Sequence, residues 1–241
     1  MMGFRARLGF LLPPGNPTIE PEMTAMCPRG VSLHFHRMVA RGAPGALDGQ
    51  AERNASMLAH LDESIEMLAL VRPDIIVIAH TATSYDLGRD REAALLDRLA
   101  AASGTRVTTA FASAAAALER LGIKRVALGA PYSPETTAKG GAHLEAHGFT
   151  VVNHDNLKGI ANIYETTAEQ AYRLARAVDR PEAEAVFLSG TGMPTVSVLE
   201  MLEADLQKPV ISSNSATMWL GLRACGVNQP IAGYGRLLTL D

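Results

Sequence analysis

The chain has 241 residues, 47% hydrophobic and 20% charged, enough to bury a core as one large domain or two small ones. A net charge of −3 without a Lys/Arg run leaves no basic face for nucleic acid, and 5% aromatics supply few base-stacking platforms. Cys27 and Cys225 alone exclude a disulfide framework or a cysteine-based metal cluster, and no apolar run approaches the roughly 20 residues of a membrane span.

Met1 to Leu12 resembles a leader peptide only in outline. Its apolar part is short and runs into Pro13-Pro14, so Arg7 to Leu12 is read as a first strand, and a soluble, cytoplasmic protein is expected. A short helix starts at Thr18, Val31 to Met38 forms a second strand, and Ala40 to Gly49 is a glycine-containing loop. Met57, Leu58, Leu61, Ile65 and Leu68 have the spacing of one amphipathic helix over 52–70. Ile75 to Ala79 is a continuous apolar, mostly β-branched run, the pattern of a strand buried on both faces. It stops at His80, and Thr81, Ala82, Thr83 and Ser84 follow before any helix is expected. A helix over 89–102, a strand over 106–109 and an alanine-rich helix over 112–121 come next.

The second part of the chain repeats this order. Strand 124–130 ends on Pro131-Tyr132-Ser133-Pro134, helix 135–147 and strand 149–153 follow, and a loop holds Asn156 and Asn162. Helix 166–178, strand 185–189, the turn Gly190-Thr191-Gly192, helix 196–206, strand 209–212 and helix 215–225 complete it. Alternating strands and helices specify an α/β fold with parallel sheets. Pro14-Gly-Asn-Pro17 matches Pro131-Tyr-Ser-Pro134, and Ile76-Val-Ile-Ala-His-Thr-Ala82 matches Val186-Phe-Leu-Ser-Gly-Thr-Gly192. Val107-Thr-Thr-Ala110 matches Val210-Ile-Ser-Ser213, in the same order. Three ordered matches imply two similar Rossmann-like halves, 1–115 and 116–230, related by a pseudo-twofold, with the segment 231–241 returning to the first. Ligands bind at the carboxyl ends of such strands, so a site is expected in the cleft between the halves, with His80-Thr81 facing Gly190-Thr191-Gly192.

The Pro-Pro-x-Asn-Pro-Thr opening, the Ala-Pro-Tyr turn, Ser212-Ser-Asn-Ser-Ala-Thr-Met-Trp219 and Gly233-Tyr-Gly-Arg-Leu237 resemble the aspartate/glutamate racemase superfamily. Within it the chain is most similar to the branch of maleate cis–trans isomerase and arylmalonate decarboxylase. The resemblance implies cofactor-independent isomerase or decarboxylase chemistry on a small carboxylate or dicarboxylate, through an enediolate-like state. Members use a cysteine at one or both converging strand ends. Here the resemblance puts His80 and Gly190 at those positions, so both thiols are absent. It also implies that Asn16, Tyr132 and Asn162 hold substrate carboxylates, and that Thr81, Gly190, Thr191 and Gly192 supply neutral donors to the developing oxyanion. One such donor contributes about 3–4 kcal/mol when tested by removal.

His80, with an ordinary pKa near 6.5, suits proton transfer as acid or base, or a purely binding role. Two alternatives stand beside the enediolate reading: a lyase or hydrolase in which His80 activates water, and a carboxylate-binding protein without catalysis. His34 and His36 share a strand face without a third ligand, and His143 and His147 read as a solvated helix face, so no metal is expected. Gly190-Thr-Gly192 lacks the dinucleotide fingerprint, and Ser84 and Ser189 lack a nucleophile elbow, so no cofactor or serine nucleophile is expected. No Lys or Arg lies at these turns, which points to recognition by neutral donors and helix N-termini. A homo-oligomer is compatible with the sequence.

Overall fold

A computed structural model describes residues 3–241; Met1 and Met2, the start of the leader-like stretch, lie outside them. The first sheet contains β1 (Ala6–Leu12), β2 (Val31–Arg37), β3 (Ile75–Ile78) and β4 (Arg106–Thr109) in the order β2-β1-β3-β4. The second contains β5 (Arg125–Ala130), β6 (Thr150–Asn156), β7 (Ala185–Leu188) and β8 (Val210–Ser212) in the order β6-β5-β7-β8. All pairings are parallel, and the second order is the first advanced by four strands. The repeat in the sequence is therefore a repeat of topology.

Ten α-helices connect the strands among the described residues: α1 (Ile19–Met26), α2 (Gln50–Ala59), α3 (Leu61–Ala69), α4 (Thr81–Leu87) and α5 (Arg89–Ser103) in the first part. The others are α6 (Ala110–Arg120), α7 (Pro134–Ala146), α8 (Ala168–Val178), α9 (Leu199–Leu206) and α10 (Ser213–Ala224). The period-two alternation of a strand sorts their packing. Leu8, Phe10 and Leu12 of β1 point into a core shared with Val126 and Leu128 of β5, Phe187 of β7 and Ile211 of β8. Leu11, Ile76 and Ile78 point the other way, onto α2, α3 and α5. Ala127, Val186, Leu188 and Val210 do the same against α8 and α9.

The shared core holds α6 and α10, which pack on each other. α10, from the end of the chain, also lies on β1 and β3; a Cβ at Gly221 would sit 3.4 Å from Leu8 Cδ1. α6 in turn touches β8. The last residues hold both parts: Tyr234 Oη donates to the Ala25 carbonyl of α1 at 2.8 Å, and the Arg236 N–H donates to Glu203 of α9 at 2.8 Å.

Three local expectations need correction. The single helix over 52–70 is two, broken at His60, whose φ of −110° and ψ of 16° leave the helical region. The His60 ring Nδ1 bonds the Ser56 carbonyl at 2.8 Å, and its own carbonyl accepts from the Ser64 hydroxyl, which ends one helix and starts the next. No loop separates His80 from a helix, because α4 begins at Thr81. Asn156 is the last residue of β6 rather than part of a loop. No helix among the described residues is long and apolar enough to cross a membrane.

Candidate active site

Parallel strands put their carboxyl ends on one edge of each sheet, and the two edges meet. Thr191 Oγ1 donates to the Ala79 carbonyl at 2.8 Å, and Asn16 Nδ2 donates to Thr191 Oγ1 at 3.1 Å. Thr18 Oγ1 donates to the Gly192 carbonyl at 2.8 Å. Ser213 Oγ accepts from the Gly190 N–H at 3.0 Å and lies 3.2 Å from Thr81 Oγ1. Asn16, His80, Thr81, Gly190, Thr191 and Gly192 thus come from opposite parts of the chain to one buried junction.

The chemistry of each is set by what it already holds. Asn16 Oδ1 accepts the Thr18 and Ile19 N–H groups at 2.9 and 3.2 Å, satisfying free donors at the start of α1. Gly190 has φ +102°, and a Cβ there would fall 2.9 Å from Pro131 Cδ and 3.3 Å from the Tyr132 hydroxyl. A side chain at that position therefore meets both backbone strain and the Pro131-Tyr132 turn. Tyr132 is buried near Thr81 and Ser189, and burial raises its phenol pKa. Tyr85 Oη lies 2.6 Å from Ser189 Oγ, and its phenol is also raised by burial. Of the expected site residues only His80 lines the cavity adjoining it; Asn16, Thr81, Tyr132, Gly190, Thr191 and Gly192 are not part of its wall, and neither is Asn162. Its amide donates to the Pro44 carbonyl at 3.0 Å and its oxygen accepts the Tyr164 N–H at 2.9 Å.

His80 follows β3 and is buried. Its Nδ1 lies 2.6 Å from the Thr83 hydroxyl, one turn into α4, and Nε2 has no hydrogen-bond partner among the described residues. Burial pushes its pKa down from 6.5 to about 4, with Asp86 opposing and Arg53 adding to the fall, so the ring is neutral at pH 7. A cavity of about 20 Å³ adjoins it, room for about one water. Its walls include Pro14, Gly15, Arg53, Asn54 and Tyr164.

Arg53 puts a cation on this cavity, which the turns themselves do not supply. It lies on α2, remote in sequence from every turn that carries the repeat. Its guanidinium donates to the Asp48 carbonyl at 2.6 Å and to the Ala46 carbonyl. Tyr164 closes another wall, and burial pushes its phenol up to about 12 against the pull of Arg53 and Arg37. The segment carrying Arg53 is fastened over the cavity: Asn54 Nδ2 donates to Asp86 at 2.7 Å, and the Leu47 N–H to the Ala161 carbonyl at 3.0 Å. The Ile163 N–H donates to the Gly45 carbonyl at 2.8 Å. The glycine-rich composition of 40–49 marked a loop in the sequence but not that it covers this cavity.

Neither cysteine reaches this junction. Cys27 ends α1, with Sγ 3.6 Å from the carbonyl of Val31, the first residue of β2. Cys225 ends α10 next to Ala224, whose carbonyl accepts from Arg106 at the start of β4. Both are at the amino ends of strands, across the sheet from His80.

The arylmalonate decarboxylase family profile matches residues 8–238. The chain belongs to this family. Maleate isomerase from Nocardia farcinica is 30% identical over 251 residues, covering 100% of this chain and 98% of that protein. Arylmalonate decarboxylase from Bordetella bronchiseptica is 28% identical over 169 residues, covering 68% of this chain and 70% of that one. Among solved structures, a Cys-to-Ser mutant of Nocardia farcinica maleate cis–trans isomerase with a covalently bound succinylcysteine intermediate superposes with a TM-score of 0.89. It is 27% identical, covering 98% of this chain and 99% of that one. Membership places the chain among enzymes of the isomerase and decarboxylase kind, with the α/β fold of that branch.

Proposed function

We propose that this chain acts without a cofactor on a small dicarboxylate, by decarboxylase- or isomerase-type chemistry through an enediolate-like state, with His80 handling the proton. The observation that carries the reading is the pairing of a buried, neutral His80 with the Arg53 guanidinium on one cavity. A dianion in that cavity faces a cation at Arg53. Its negative charge also lifts the His80 pKa back toward neutrality, so that substrate binding itself brings a proton to the imidazole.

The residues present favour decarboxylation within this pair of reactions. The isomerase in the solved structure carries its intermediate on a cysteine, and both cysteines here stand at the far ends of their strands. Decarboxylation needs no nucleophile on the carbon skeleton. The bond to one carboxylate breaks, carbon dioxide leaves, and the electron pair passes into the remaining carboxylate as an enediolate. His80 Nε2 then returns one proton to the carbon. A single proton donor suffices, whereas racemisation needs a donor on each face. In this reading Thr81, Tyr132 and the Gly190–Gly192 turn, buried at the junction next to His80, serve as neutral donors to the enediolate oxygens. Asn16 supports that turn through its bond to Thr191.

A cavity of about 20 Å³ is too small for a dicarboxylate, so the 39–59 segment must lift for substrate to enter and Arg53 travels with it. The test is a panel of malonates, maleate, aspartate and hydroxy acids, scored for thermal shift and for turnover. Turnover lost in His80→Ala with binding kept supports the reading. Binding without turnover by the native chain indicates a carboxylate-binding protein instead.

A further inference from the structure

His143 and His147 do not form a solvated helix face. They lie one turn apart at the end of α7, and the His143 side chain is 3% exposed. His143 Nε2 lies 3.0 Å from Glu92 Oε2 on α5, whose side chain is equally buried. Glu92 Oε1 accepts the hydroxyls of Ser84 at 2.6 Å and Thr109. The Phe111 ring sits 4.2 Å from the buried His143 ring and 5.1 Å from that of the half-buried His147. One donor atom from each of Glu92, His143 and His147 lies within 4.8 Å of the other two.

A buried Glu–His pair accounts for two of these residues and leaves the third unexplained. His147 Nε2 is shut off from solvent and has no hydrogen-bond partner. Leaving such a nitrogen unpaired costs about 1–3 kcal/mol. A metal ion between the three side chains removes that cost. We propose that Glu92, His143 and His147 bind a zinc ion that clasps α5 to α7.

Two imidazoles and one carboxylate are a donor set that zinc takes. Bond lengths of about 2.0–2.2 Å in a tetrahedron set donors about 3.3 Å apart. The Glu92–His143 pair is already within a few tenths of an ångström of that, and His147 closes the triangle by a side-chain rotation. Ser84 and Thr109 hold the other Glu92 oxygen, the outer support that ligating carboxylates commonly have. A groove lined by Tyr85, Arg89, Lys139, His143 and Ala146 runs alongside His143. Tyr85 also separates this cluster from the His80 junction, with its ring 5.9 Å from His143 and its hydroxyl on Ser189. The zinc is structural, and no step of the reaction passes through it.

The experiment is zinc chloride titration of the full chain after chelator treatment, followed by calorimetry and thermal unfolding, with cobalt(II) absorption reporting geometry. The expected result is one equivalent bound, a raised Tm and a tetrahedral cobalt spectrum. His147→Gln leaves the Glu92–His143 bond intact, yet weakens zinc binding at least about tenfold and removes the rise in Tm. Glu92→Gln does the same, while His36→Gln on the edge strand β2 binds like the native chain. Sub-stoichiometric binding, or unchanged binding in a folded His147→Gln, overturns the proposal.

Discussion

Replacing His80 by Gln keeps a polar partner for Thr83 and removes the imidazole that burial holds neutral at the junction. The folded chain holds His80 neutral down to about pH 4, whereas an unfolded chain protonates it near 6.5. Its contribution to stability is thus complete above pH 6.5 and is lost as pH falls toward 4, because the unfolded state takes up the proton first. The full gap amounts to about 3 kcal/mol at 1.36 kcal/mol per pH unit, and about 2 kcal/mol of it is realised between pH 7 and pH 5. Urea unfolding followed through the single tryptophan, buried Trp219, measures this directly. The native chain should lose about 2 kcal/mol more than His80→Gln between those two values. Glu22, Glu92 and His147 titrate alike in both proteins and cancel in the difference. Equal losses in the two proteins would show that His80 is solvated, and the account of its neutral state would fall.

Other perturbations separate the remaining roles. Arg53→Met should raise KM for a dicarboxylate about 10- to 100-fold with a smaller change in kcat, read from initial rates, as befits a group that binds more than it reacts. If His80 gains its proton from substrate binding, calorimetry in two buffers of different ionisation heat should show proton uptake near pH 7, and His80→Gln should abolish it. Gly190→Ala should cost about 1–3 kcal/mol in urea unfolding, because φ is +102° and the new Cβ meets Pro131. Glu22→Ala should cost about 2–4 kcal/mol by the same assay, since it removes the acceptor of the Thr195 and Val196 N–H groups and of the Asn214 amide.

What the sequence announced and what it concealed differ by distance along the chain. Strands such as Ile75–Ile78 and Ala185–Leu188 are buried on both faces, and an unbroken apolar run encodes that locally. The ordered repeat then carried the topology of two sheets and the meeting of the strand ends at Ala79 and Thr191. The break at His60 was invisible because the apolar spacing of 57–68 runs straight through it, and only a ring-to-carbonyl bond ends the helix. Arg53 could not be placed at the cavity, since nothing near it in sequence tells how the 39–49 segment folds over. Glu22 was missed for the same reason: its partners Thr195, Val196 and Asn214 lie more than 170 positions away. His143 showed only its helical spacing to His147, which reads alike for a wet face and for one turned onto Glu92.

The position of α10 sets when the protein can fold during its synthesis. β1 and β3 emerge from the ribosome early, but part of the cover over their inner face is α10, which is synthesised long after them. Until then Leu8 and its neighbours are exposed on an incomplete nascent chain, so a stalled or truncated product displays greasy β-structure and is a ready client for chaperones. Native assembly has to draw together segments separated by most of the polypeptide, which favours slow, concerted folding over stepwise folding of one sheet and then the other.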